Sequence, residues 1–178
     1  MRIKTLFSAI LVAGPLAVVA GADPWPGFRG PTGQGFSKEI RLPVSWSANR
    51  DVMWTTPIPG EGWSSPIAWG GRVLVTTARD EGRACHVLAL DRRTGEVLWD
   101  TLVFTQALKR KEGRNSYATP TPVTDGARVY TAFGDGSFAA VDLVNGKVVW
   151  TNRDYPFYGH HGLGTSPVLY RDLVIMAR

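Results

Sequence analysis

Residues 88–99 read Leu-Ala-Leu-Asp-Arg-Arg-Thr-Gly-Glu-Val-Leu-Trp, and residues 139–150 read Ala-Ala-Val-Asp-Leu-Val-Asn-Gly-Lys-Val-Val-Trp. Ala89, Asp91, Gly95 and Trp99 recur 51 residues later as Ala140, Asp142, Gly146 and Trp150. A period of about 50 residues marks a solenoid or a propeller. Alternating apolar residues before each Asp suit a strand. The Thr-Gly or Asn-Gly pair suits a tight hairpin turn, with Gly at positive φ and the Asp carboxylate holding turn amides. A second β-branched run then ends in Trp. The expected fold is all-β, a solenoid or a propeller of repeated antiparallel strands.

As a propeller, the remaining chain would divide into blades. Blade one is expected over 63–100, with an inner strand at Ser65–Gly70 and a second strand at Arg72–Ala78. A hairpin around Arg79–Gly82 leads to strands at His86–Leu90 and Glu96–Trp99. Blade two is expected over 119–151, with a tight hairpin at Gly134-Asp135-Gly136, and the start of blade three over 165–178. Inner strands align at an offset of 56 and outer ones at 51, which assigns five extra residues to the middle hairpin of blade one. Pro66, Pro122 and Pro167 open the inner strands, where a free edge tolerates a missing N–H. Residues 51–57 are expected as an outer closing strand, with Trp54 in the place of Trp99 and Trp150.

The pattern Ala-x-Asp-x-x-Thr-Gly-x-x-x-Trp resembles the repeat of the quinoprotein-type, or PQQ-like, β-propellers. Ala89, Asp91, Thr94, Gly95 and Trp99 match it, and the second copy departs only at Asn145. The resemblance implies a β-propeller of four-stranded antiparallel blades in which each Trp docks on the neighbouring blade. It also implies a full ring of about seven or eight blades, within the usual propeller range. About two and a half are present here, so the chain is expected to be an N-terminal piece of a longer protein. The opening Trp25-Pro-Gly-Phe-Arg-Gly-Pro resembles that of secreted PQQ-like propeller proteins of planctomycete-type bacteria.

Apolar residues make up 44% and charged ones 20%, a globular rather than a disordered balance. Residues 1–22 differ from the rest. Arg2 and Lys4 precede an apolar run, and Ala20-Gly21-Ala22 offers a small-residue cleavage site, the pattern of a secretory signal peptide. Cleavage after Ala20 or Ala22 would leave an exported protein, periplasmic or secreted, with no membrane span. Loss of two cations lowers the net charge from +5 to +3, and no nucleic-acid partner is expected. Residues 23–50, dense in Gly and Pro, are expected as an extended arm pinned by Trp25, Phe28 and Trp46. Cys85 is the sole cysteine and is expected as a small buried residue.

Loops that join one blade to the next gather on one face of a propeller, where ligands bind. They bring Glu61, Trp63, Asn115, Tyr117, Tyr158, His160 and His161 towards one rim, the candidate site for a ligand or partner. The plain alternative is that polar loop residues face water while the aromatics pack on the blades. His160 and His161 are adjacent, so in an extended chain they point apart, and no third metal ligand is spaced to join them. Lys109, Arg110, Lys111 and Arg114 form a basic loop. No residue is assigned a catalytic, cofactor-binding or metal-binding role.

Two functions are expected. The first is a non-catalytic exported scaffold that binds a protein or envelope polymer, as the resemblance to BamB-type assembly factors implies. The alternative is a dehydrogenase of alcohols or sugars, using PQQ and Ca²⁺, as in the quinoprotein branch. Such enzymes carry a vicinal cysteine pair that Cys85 alone does not supply. A shared fold does not decide between them.

Overall fold

The computed structural model describes residues 24–40, 42–157 and 159–177. The expected signal peptide and Tyr158 lie outside the described residues. Blade one is an antiparallel sheet of β1 (Ile67–Trp69), β2 (Arg72–Arg79), β3 (Ala84–Asp91) and β4 (Val97–Thr105), in that order. Blade two repeats it with β5 (Val123–Thr124), β6 (Arg128–Ala132), β7 (Phe138–Asp142) and β8 (Val148–Asn152). The hairpin of β9 (Val168–Tyr170) and β10 (Leu173–Ile175) opens a third unit.

The repeated turn forms as its residues dictate. The Asp91 carboxylate accepts the amides of Arg93 and Thr94, each at 2.8 Å. Asp142 accepts those of Val144 and Asn145 at 2.9 and 3.0 Å. Gly95 and Gly146 take φ of 76° and 71°, the left-handed region that favours glycine. The ladder slips between Ala89 and Leu90, and again between Ala140 and Val141, so the bulge repeats as well.

The main core lies between the two complete sheets. Leu74, Val87 and Ala89 of blade one face Val129, Phe133 and Val141 of blade two, and all are buried. Phe104 meets Phe133 edge to face at 5.3 Å. Burying each large apolar side chain stabilises by about 1.5–3 kcal/mol, and Ala89 and Ala139, wholly buried, let the sheets approach. Cys85 sits in this core, where burial pushes its thiol pKa well up, so it is an inert packing residue. A smaller core joins Val123, Tyr130 and Ala140 to Leu169 and Val174 of the third unit.

Three expectations are corrected. The extra residues of blade one lengthen strands rather than the hairpin: β2 and β3 have 8 residues each, against 5 in β6 and β7. Thr77 to Arg79 pair with Ala84 to His86 and continue the ladder, and Glu61 pairs with Ala78 at the edge so exposed. Residues 51–57 are extended, and Trp54 and Thr56 bond to blade one there as Trp99 and Thr101 bond to blade two. The inner edge of blade one is not free, because Trp25 and Ala68 exchange both backbone hydrogen bonds at 2.8 and 2.9 Å. Trp25 pins the arm, whereas Phe28 and Trp46 are 55% and 70% exposed and pin nothing.

Candidate functional site

The inter-blade loops close on one another through backbone and amide groups. The Trp63 amide donates to the Ala118 carbonyl at 3.1 Å, joining loop 58–64 to loop 105–119. The Asn115 side-chain amide donates to the His161 carbonyl at 2.7 Å, joining 105–119 to 152–165. Beneath these, buried Gln106 bridges the two middle hairpins, donating to Gly82 at 2.7 Å and accepting from the Asp135 amide at 3.0 Å. Asp135 pairs in turn with Arg153 at 3.0 Å, and that guanidinium lies over the Phe104 ring. A satisfied buried polar network of this kind fixes one geometry.

The expected rim residues divide by surroundings. Glu61 is tied to Ala78 through its backbone and leaves its side chain exposed. Trp63 is half exposed. Asn115 serves as a lash between loops. Tyr117 packs between the middle hairpins, its hydroxyl donating to the Lys109 carbonyl at 2.6 Å. A Cβ at Gly82 or Gly134 would stand 2.1 or 2.8 Å from its ring, so the two glycines make its seat. His160 and His161 are exposed, with ring centroids 5.5 Å apart. Among the described residues no group of three or more His, Cys, Asp or Glu is placed to share a cation.

The residues before the inner-strand prolines do more than the sequence reading assigned them. The Ser65 amide donates to the Thr121 hydroxyl at 2.9 Å, and the Thr121 amide donates to the Ser166 hydroxyl at 3.0 Å. A belt of amide-to-hydroxyl bonds therefore steps from blade to blade. The recurrent Ser/Thr-Pro dipeptide is its sequence signal. On the opposite face, Trp54 and Trp99 form the second inter-blade joint. Trp54 Nε1 donates to the Arg92 carbonyl at 2.9 Å, and Trp99 Nε1 to the Leu143 carbonyl at 3.2 Å. Thr56 and Thr101 add hydroxyl bonds to the carbonyls of Gly95 and Gly146 at 2.7 and 2.8 Å.

A cleft of about 790 Å³ opens beside the belt, between arm residues 26–33, Trp63 and the starts of β5 and β9. Arg29 is its one charged lining residue, and Phe28 and Trp63 are its half-exposed aromatics. Sequence reasoning missed Arg29, because nothing in its spacing shows that the arm folds back across blade two.

The family described as outer membrane protein assembly factor BamB matches residues 43–153. The chain belongs to this family. A BamB from Alteromonas naphthalenivorans is 31% identical over 104 residues, covering 58% of this chain and 23% of the relative. The crystal structure of BamB from Moraxella catarrhalis superposes with a TM-score of 0.55 and 21% identity, over 70% of this chain and 37% of that one. That likeness shows a β-propeller fold. A quinohemoprotein alcohol dehydrogenase from Comamonas testosteroni gives a TM-score of 0.44 at 19% identity, over 66% of this chain and 17% of that one, and carries no argument. The chain spans less than a quarter of the length of the curated BamB relative it matches.

Proposed function

We propose that the chain is part of an exported, non-catalytic BamB-type scaffold that binds a protein through its inter-blade loop face in the periplasm. The observation that carries this reading is the locked loop face. Gln106, Asn115 and the Trp63 amide fix the loops, while the Trp63 ring, Arg110, His160 and His161 stay outward. A rigid platform with an exposed aromatic and cations has the make-up of a protein-binding patch, since Trp and Arg dominate interface energetics. The matched family's description, an assembly factor for outer membrane proteins, favours a protein over a polymer as the partner.

The test is photo-crosslinking in exporting cells from Trp63 or His161, compared with Asn145 on the opposite face. Protein adducts from the first two positions alone support the reading. Equal adducts from Asn145, or adducts to polymer only, overturn it. PQQ with Ca²⁺ is the rival ligand: at 100 times its dissociation constant it would stabilise by about 2.7 kcal/mol. A melt showing that shift, with dye reduction on alcohols or sugars, would replace the scaffold reading with the dehydrogenase.

A further inference from the structure

The three inner strands hold equivalent places. Ala68 stands opposite Val73, Thr124 opposite Val129 and Leu169 opposite Val174, each just before a two-residue turn. In an antiparallel ladder alternate residues turn their N–H and C=O away from the partner strand. Ala68 does so, and Trp25 of the arm takes both groups. Thr124 does so, and its amide donates to the Pro26 carbonyl at 2.9 Å. The arm then leaves along Gly27 to Gly33. At Leu169 the same outward groups meet no partner among the described residues, and Leu169 lines the cleft.

We infer that this cleft takes an extended acidic peptide segment of the partner protein, which adds to the edge of β9 as the arm adds to the edge of β1. This deepens the scaffold reading and rests on it. Adding a strand to an open sheet edge gives affinity through main-chain bonds and specificity through alternate side chains. The cleft supplies both. Among the described residues no carboxylate pairs with Arg29, and no acidic residue lines the cleft. The loop that supplies Thr119 carries Lys109, Arg110, Lys111 and Arg114 against one acid, Glu112. Phe28 and Trp63 offer apolar contact to the side chains between the acidic ones.

A sugar would need free hydroxyl partners, and four of the lining hydroxyls are already engaged within the protein. Thr121 and Ser166 accept belt amides, Thr124 donates to the Arg128 carbonyl at 2.7 Å, and Thr119 bonds Asn115 and Ser116. The outward polar groups of the Leu169 backbone suit a peptide.

The test uses the full chain and a short fluorescent peptide alternating valine with aspartate, followed by anisotropy. The expected result is saturable binding that slows hydrogen exchange at the Leu169 amide. Methylating alternate peptide amides should weaken binding by about tenfold, since it removes main-chain donors and leaves the protein intact. Arg29→Glu, on the exposed arm, should weaken binding by about tenfold and favour a lysine-for-aspartate peptide. Equal binding of the methylated peptide, equal binding of the lysine peptide to the native chain, displacement by polygalacturonate alone, or no binding at millimolar peptide would each overturn the inference. Crosslinks from Trp63 to a protein with no peptide binding would sink this inference and leave the scaffold reading standing. Peptide binding without such crosslinks would do the reverse.

Discussion

The indole of Trp99 reaches across from blade one to the Leu143 carbonyl of blade two, 3.2 Å from Nε1. Its ring lies where a Cβ on Gly146 would stand, 2.7 Å away. The turn that repeats in the sequence is thus also the socket for the preceding blade's Trp. One glycine serves both the backbone conformation and the joint.

Replacing Trp99 with Ala should cost stability towards the lower end of the about 3–5 kcal/mol typical of large aromatic truncations, because the ring is only partly buried. Trp150→Ala should cost less, since Trp150 is 37% exposed and rests on Tyr130 and Phe138. Lys147→Ala, on the surface, should stay within about 0.5 kcal/mol. Urea midpoints measure all three. Equal midpoints for Trp99→Ala and Lys147→Ala would show that the joint does not hold the blades.

Thr121→Val removes the hydroxyl that accepts the Ser65 amide while keeping the shape of the buried side chain. An amide left without its partner inside the structure costs about 1–3 kcal/mol. Thr121→Ser keeps the bond and should recover most of that loss. Thermal unfolding of the two variants decides the matter. Equal losses would show that the hydroxyl bond does not account for the effect.

The amides of Thr94 and Arg93 hold the Asp91 carboxyl below its ordinary pKa. A depressed folded pKa means stability that is present above the unfolded value of about 3.9 and is lost as pH falls through the folded one. Asp91→Asn should therefore narrow the difference between pH 7 and pH 3, chiefly below about pH 4. Some acid sensitivity should remain. Burial of Asp100 is outweighed by the Arg79 and His86 hydrogen bonds, and burial of Asp125 by the amides of Arg128 and Ala127, so both titrate in the same sense. Parallel pH profiles for the native chain and Asp91→Asn would refute the assignment.

The repeat was legible because its chemistry is local. Asp91, Thr94, Gly95 and Trp99 lie within one hairpin, so spacing alone states the turn. The bonds that assemble the blades come from single residues far apart in the chain. Gln106 spans two hairpins, and Pro26 meets Thr124, and neither has a period to betray it. The sequence carries the second strand of blade one to Ala78, but nothing in Arg79, Ala84 and Cys85 separates strand from hairpin until their pairing is seen. Tyr117 read as a rim residue for want of any sign that Gly82 and Gly134 make room for its ring. The serine or threonine before each inner proline was the one distant signal within reach.

Both inter-blade joints run in a single direction. The earlier blade gives the indole and the amide, and the later blade gives the carbonyl and the hydroxyl. The contact is therefore heterologous, with unlike surfaces meeting head to tail, the kind that builds rings or open helices rather than two-fold pairs. A duplicated blade carrying its own Thr-Pro and Trp would present the correct half-joint on each side. Such units can be concatenated like words under one grammar, which lets blade number change by copying without the invention of a new interface.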